Sequence, residues 1–70
     1  MTFGKNLKKA RESKGWTQSK TALKTGVHRH NIGAYEENRA DPSLEAFVKI
    51  CKGFGIKDIS FADDPNFKLN

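Results

Sequence analysis

Residues that start and stop helices cut this chain into short segments, and that punctuation limits its fold more than any other feature. Gly15, Gly26, Asn38 and Gly55 stand where apolar patterns end, as residues free to take φ > 0 just past a helix. Thr17 and Ser43 stand where new patterns begin, as N-caps. The spacing predicts helices over 3–14, 18–25, about 28–37 and 44–54, with a short fifth over 58–62. Phe3, Leu7 and Ala10 form the first inward stripe, with lysines outside it. Thr21, Ala22 and Thr25 point inward on the second helix, and Leu23 lies on another side. Ile32 and Tyr35 serve the third, and Leu44, Phe47, Val48, Cys51 and Phe54 the fourth. Val27 is a buried connector, and Trp16 is expected to fold back over the helix it leaves. No period-2 alternation and no Asn-Gly or Asp-Gly hairpin competes. The expected class is all-α, a compact bundle of four to five helices forming one domain over 1–62, with 63–70 as a C-terminal tail.

Several functional classes are disfavoured at once. Seventy residues leave room for one small domain. A 36 % hydrophobic and 30 % charged composition is too apolar for a disordered tail and too polar for a membrane protein. No run approaches the roughly 18 apolar residues of a spanning helix. Lys5, Lys8, Lys9 and Arg11 interrupt what a secretory signal would need, so a cytoplasmic protein is expected. The single cysteine, Cys51, excludes an internal disulfide and reads as a small core residue. His28 and His30 are two apart and share no helix face, so no metal site is expected. No cofactor or small-molecule ligand is indicated. No Ser/His/Asp set or glycine-rich phosphate loop occurs, and adjacent Glu36 and Glu37 are a poor acid/base pair. An enzyme is not expected.

Charge is unevenly placed. Residues 1–35 carry eight lysines and arginines against Glu12 alone, whereas residues 36–70 carry five against seven acids. One half is therefore an electrostatic surface for a polyanion: nucleic acid, an anionic membrane or an acidic protein patch. A solvated face that merely keeps the protein soluble is the plainer reading.

The two short helices joined by Thr25-Gly26-Val27 have the spacing of a helix-turn-helix. The Thr17-Gln18 start, Ala22, Gly26-Val27, Ile32, Tyr35-Glu36, Asn38-Arg39, Pro42-Ser43-Leu44-Glu45 and the Gly55-Ile56 exit accompany it. With these the chain resembles, from about residue 3 to 61, the lambda-repressor-like (Cro-type, xenobiotic-response-element) helix-turn-helix family. The resemblance implies a five-helix bundle that binds double-stranded DNA, usually as a homodimer, to regulate transcription, most often as a repressor. It also implies an Arg11–Glu36 ion pair linking the first and third helices, a backbone grip by Gln18, and a phosphate clamp at Asn38 and Arg39. The chain departs from the family pattern at Thr21, where leucine is usual. At His28 the usual residue is a serine or threonine cap, and at Gly33 and Ala34 longer readers often stand. Glu37 sets a negative charge on the DNA side.

With Ile32 and Tyr35 inward, the 100° step turns His30, Gly33, Ala34 and Glu37 outward. His28 and Arg29 lie at the end that enters the major groove, and His28 is grouped with the phosphate contacts. Arg29 is the leading base reader, since a guanidinium donates twice to guanine O6 and N7. A surface ion pair with Glu12 or Glu37 is the plainer role. His30 and Asn31 follow. Asn31 suits adenine, but its lateral position fits a phosphate equally well. Gly33 reads either as close approach of backbone to the groove or as drift, and Ala34 as a partner for a thymine methyl. Thr17 and Gln18 open a helix whose free N–H groups favour phosphate. Lys20 and Lys24 supply long-range attraction. A homodimer through Ile59 and Phe61 is expected, because one reader helix makes few contacts. The rival reading is a protein-interaction module of the same fold, such as an antitoxin or coactivator component, using Leu23, Ile59, Phe61 and Phe67. Core packing or dimerisation explains those residues more simply.

Overall fold

A computed structural model describes residues 2–69 and contains four α-helices: α1 (Thr2–Ser13), α2 (Gln18–Thr25), α3 (Arg29–Glu36) and α4 (Leu44–Phe54). A single 3-10 turn follows at Ile59–Ala62, and no strand occurs among the described residues. Local chemistry sets the helix ends. Thr17 and Ser43 accept the N–H groups of Lys20 and Ala46 at 3.0 and 3.1 Å. Gly26 and Gly55 close α2 and α4 at φ 76° and 72°, and Asn38 turns the chain after α3 at φ 60°.

The helices pack around Leu7, Ile32, Ile50 and Phe61, all with essentially no exposed surface. Two close crossings hold the layers together. A Cβ at Gly4 of α1 would run into the Tyr35 carbonyl of α3 and lie 3.0 Å from Asn38 Oδ1. A Cβ at Gly53 of α4 would lie 2.6 Å from Thr25 Cγ2 and 2.8 Å from the Lys24 carbonyl oxygen. Only glycine allows backbones this close. Buried Thr21 and Thr25 satisfy their hydroxyls by donating to the carbonyls of Thr17 and Thr21, at 2.9 and 2.8 Å. With threonine at 21 where the family pattern has leucine, α2 thus leaves neither buried hydroxyl unpaired.

Several expectations change here. Phe61 is no surface residue: it is fully buried, with Phe3 and Phe67 ring centroids 5.3 and 5.0 Å away. The 3-10 turn, capped by Asp58 on the Ser60 N–H at 2.9 Å, sends Phe61 inward and leaves Ile59 75 % exposed. Leu44 and Val48 are likewise exposed, and Ile50 takes the buried place. The 44/48/51 stripe and the 47/50/54 stripe are both apolar, and the crossing over α2 selects the second. Trp16 packs on Phe54 of α4 at 5.0 Å. The segment read as a tail folds back, with Phe67 buried on Phe61 and Leu69 half-buried against the core.

Asn6 was missed by periodicity. It is fully buried on α1 and donates its amide to the carbonyls of Phe61 and Asp64, at 3.0 and 2.9 Å. That fastens the C-terminal segment to the first helix. Its position, one before Leu7 on the inward face, was the available signal.

Candidate nucleic-acid interface

The N-terminal end of α3 sets the geometry of the interface. His28 is its N-cap, and the ring Nδ1 accepts the His30 N–H at 3.0 Å. An imidazole nitrogen thus accepts the cap hydrogen bond where a serine or threonine hydroxyl is usual in the family pattern. Arg29, His30 and Asn31 follow as three consecutive exposed residues. Arg29 makes no ion pair with Glu12 or Glu37, and Glu37 is engaged by Arg39 at 2.9 Å. Both members of that pair are more than half exposed, where such pairs contribute at most about 1 kcal/mol.

Gly33 and Ala34 are buried, against the outward positions expected for them. The Gln18 amide lies across Gly33, its Oε1 3.5 Å from where a Cβ would sit. Ala34 lies where the chain doubles back, its carbonyl accepting the Arg39 N–H at 2.9 Å. A helical wheel assigns direction from one helix alone, and here a side chain of α2 and the turn after α3 cover two of its outward positions.

Behind this face stands a four-residue network. Arg11 donates Nε and Nη2 to the Glu36 carboxylate at 2.7 and 3.1 Å, and Nη1 to the Trp16 carbonyl at 2.9 Å. The side chains of Arg11 and Glu36 are 13 % and 4 % exposed. The Glu36 hydrogen bond pushes the Arg11 guanidinium above its ordinary range, against the opposing effect of burial. Gln18 Nε2 donates to the same carboxylate at 3.3 Å. Glu36 therefore ties α1, α2 and α3 together.

Thr17, with its hydroxyl committed to the cap, sits exposed at the start of α2, and Asn38 and Arg39 are exposed after α3. Among the described residues no group of histidine, cysteine or acidic side chains is placed to hold a metal, and no helix is long and apolar enough to cross a membrane.

Comparison with known proteins agrees with this geometry. A family model described as helix-turn-helix matches residues 7–61. The chain is 39 % identical over 54 residues to the SPbeta prophage-derived uncharacterized HTH-type transcriptional regulator YonR of Bacillus subtilis, covering 77 % of this chain and 50 % of YonR. It is 43 % identical over 60 residues to the uncharacterized HTH-type transcriptional regulator MJ0272 of Methanocaldococcus jannaschii, covering 83 % and 91 %. It is 39 % identical over 50 residues to the antitoxin HipB of Escherichia coli K12, covering 71 % and 57 %. The chain thus spans about half the length of YonR and HipB. No solved structure matches it significantly. The match across α1 to the 3-10 turn, together with the short α2 and α3 joined at Gly26, places the chain in the helix-turn-helix family, in its lambda-repressor-like branch.

Proposed function

We propose that this chain is the sequence-specific, double-stranded-DNA-binding unit of a transcriptional regulator, acting as a repressor in the cytoplasm. The observation that carries the reading is the exposed Arg29-His30-Asn31 run on the first turn of α3, flanked by the start of α2 and the turn at Asn38-Arg39. Regulators among its relatives support it. In this reading the first turn of α3 enters the major groove. Arg29 donates to guanine O6 and N7, and His30 and Asn31 read adjacent edges. Thr17, His28, Asn38 and Arg39 face phosphates. Gly33 and Ala34, being covered, leave the reading to that first turn.

A homodimer completes the proposal. Leu44 and Ile59, 78 % and 75 % exposed, flank one groove floored by Phe47 and Ala62. A second copy seated there, with Ile59 and not Phe61 at the contact, would set two reader helices about 34 Å apart on one side of the duplex. Site selection from a random duplex pool tests the whole. Two symmetric half-sites are expected, with log K falling steeply and linearly in log salt. Failure of every duplex to bind at low ionic strength overturns the reading.

Leu23, 83 % exposed beside Ala22 and Val27, together with the likeness to HipB, favours the protein-interaction alternative. A shallow salt dependence toward a protein target distinguishes it.

A further inference from the structure

We infer that His28 makes the DNA-binding end of α3 proton-sensitive: the reader helix is capped while the His28 ring is neutral, and in mild acid it loses that cap and affinity for DNA with it. The inference rests on the DNA-binding reading. Of the caps at Thr17, His28, Ser43 and Asp58, only that of His28 is an imidazole, the side-chain type that ordinarily changes charge between about pH 5 and 8.

The His28 Nδ1 accepts the His30 N–H at 3.0 Å. A ring nitrogen that accepts carries no proton, so the imidazole is the neutral tautomer with its proton on Nε2. A proton added at Nδ1 turns the acceptor into a donor facing another donor, and the bond is lost. The hydroxyl caps at Thr17 and Ser43 have no such switch. Little else holds the first turn of α3. The His28 carbonyl serves the Asn31 and Ile32 N–H groups, so the His30 N–H depends on the ring. The helix is eight residues long, contains Gly33 and has no acidic residue in its first turn. Helices this short are marginal without outside support, and loss of an N-cap shifts a helix equilibrium roughly fivefold. A charged ring would also stand at the positive end of the helix, next to Arg29.

The surroundings do not offset that loss. The ring is exposed, so protons reach it. The part of α2 lining the adjacent surface, at Ser19, Ala22 and Leu23, carries no titratable group. From α3 come Arg29, His30 and Tyr35, and from α4 come Glu45 and Lys49, which pair with each other at 3.5 Å. Among these groups no unpaired acid stands ready to hold an imidazolium. The opposing effect is attraction of the charged ring to phosphate. The neutral tautomer already presents an Nε2–H donor on the far side of the ring from the cap. A second proton therefore adds charge but no new hydrogen bond to a phosphate, and the charge is exposed and screened. Cap loss instead disturbs Arg29, His30 and Asn31 together.

The test compares the intact chain with His28→Ser, which keeps a cap that does not titrate. Each is titrated with the duplex obtained by site selection, between about pH 7.5 and 5.5 at constant salt. His30 titrates in both proteins and cancels in the comparison. The intact chain is expected to lose roughly fivefold in affinity over this range relative to His28→Ser. Without DNA, the chemical shift of the His30 amide proton should follow the titration of the His28 ring. Circular dichroism melts at each pH verify that both chains stay folded. An equal pH response in the two chains overturns the inference. So does tighter binding of the intact chain in acid, which would mean that an imidazolium–phosphate contact prevails, and so does an amide shift that ignores the ring. If neither chain binds any duplex at any pH, the DNA-binding reading fails and takes the affinity claim with it, while the amide titration still decides the cap.

Discussion

Replacing Arg11 with alanine removes three hydrogen bonds at once, two to Glu36 and one to the Trp16 carbonyl. Glu36 stays where it is, 4 % exposed and with only the Gln18 amide as partner. An intact buried pair adds little net stability, because desolvating both charges offsets their attraction. Removing one partner strands the other charge and costs about 3–5 kcal/mol. A 70-residue domain has roughly 4–10 kcal/mol in total. Arg11→Ala is therefore expected to lower Tm by roughly 15–30 °C, and at the low end of that stability range to leave much of the chain unfolded at 25 °C. Trp16 lies against Phe54, so its fluorescence reports the same transition as circular dichroism. Glu36→Leu added to Arg11→Met should recover much of the loss, since an apolar pair leaves no buried charge. A melting temperature for Arg11→Ala within a few degrees of wild type refutes the reasoning. The Arg11 guanidinium pKa is raised by Glu36, so the stability it contributes is complete at any pH below the ordinary arginine range and is lost only above it, and the guanidinium adds no pH dependence near neutrality.

Four smaller tests follow from the same geometry. Gly4→Ala drives a methyl into the Tyr35 carbonyl and should cost about 1–3 kcal/mol in denaturant melts, because α1 must lift off α3. Gly33→Ala meets Gln18 only at ordinary contact distance and should instead stabilise by about 1 kcal/mol through helix propensity; a destabilised variant would show that the space over Gly33 is tighter than drawn. Glu37→Gln frees Arg39 and removes an anion from the proposed DNA face, so affinity should rise about two- to fivefold in titrations at low salt. The Asp58 carboxylate sits below its ordinary value of 3.8 because it accepts the Ser60 N–H. Its contribution is present above that value and fades as pH falls through the lower folded one. Asp58→Asn keeps an acceptor for the cap and should flatten the acid limb of the Tm–pH profile.

How far the sequence reaches depends on the range of the interaction involved. Thr17, Ser43, Gly26, Gly55 and Asn38 mark helix ends because capping is settled within three or four residues of backbone, and the structure has each in that role. The all-α class, the order of helices and the inward threonines of α2 follow from similarly local chemistry. Burial belongs to a different range. Two stripes of α4 were equally apolar, and the crossing at Gly53 and Thr25 chose between them. Gly33 and Ala34 pointed outward on a wheel until Gln18 from another helix and the turn at Arg39 lay over them. Phe61 and Phe67 near the C-terminus, and Asn6 of α1 that holds them, show the same thing. For Phe61 and Phe67 the sequence left core packing and an exposed contact both open, and the fold decides for the core through their packing and the bonds from Asn6 of α1 to the carbonyls of Phe61 and Asp64. Residue order alone determines where this chain can bend and cap. Which face it hides is decided by contacts between residues far apart in sequence, and those exist only once the helices have packed.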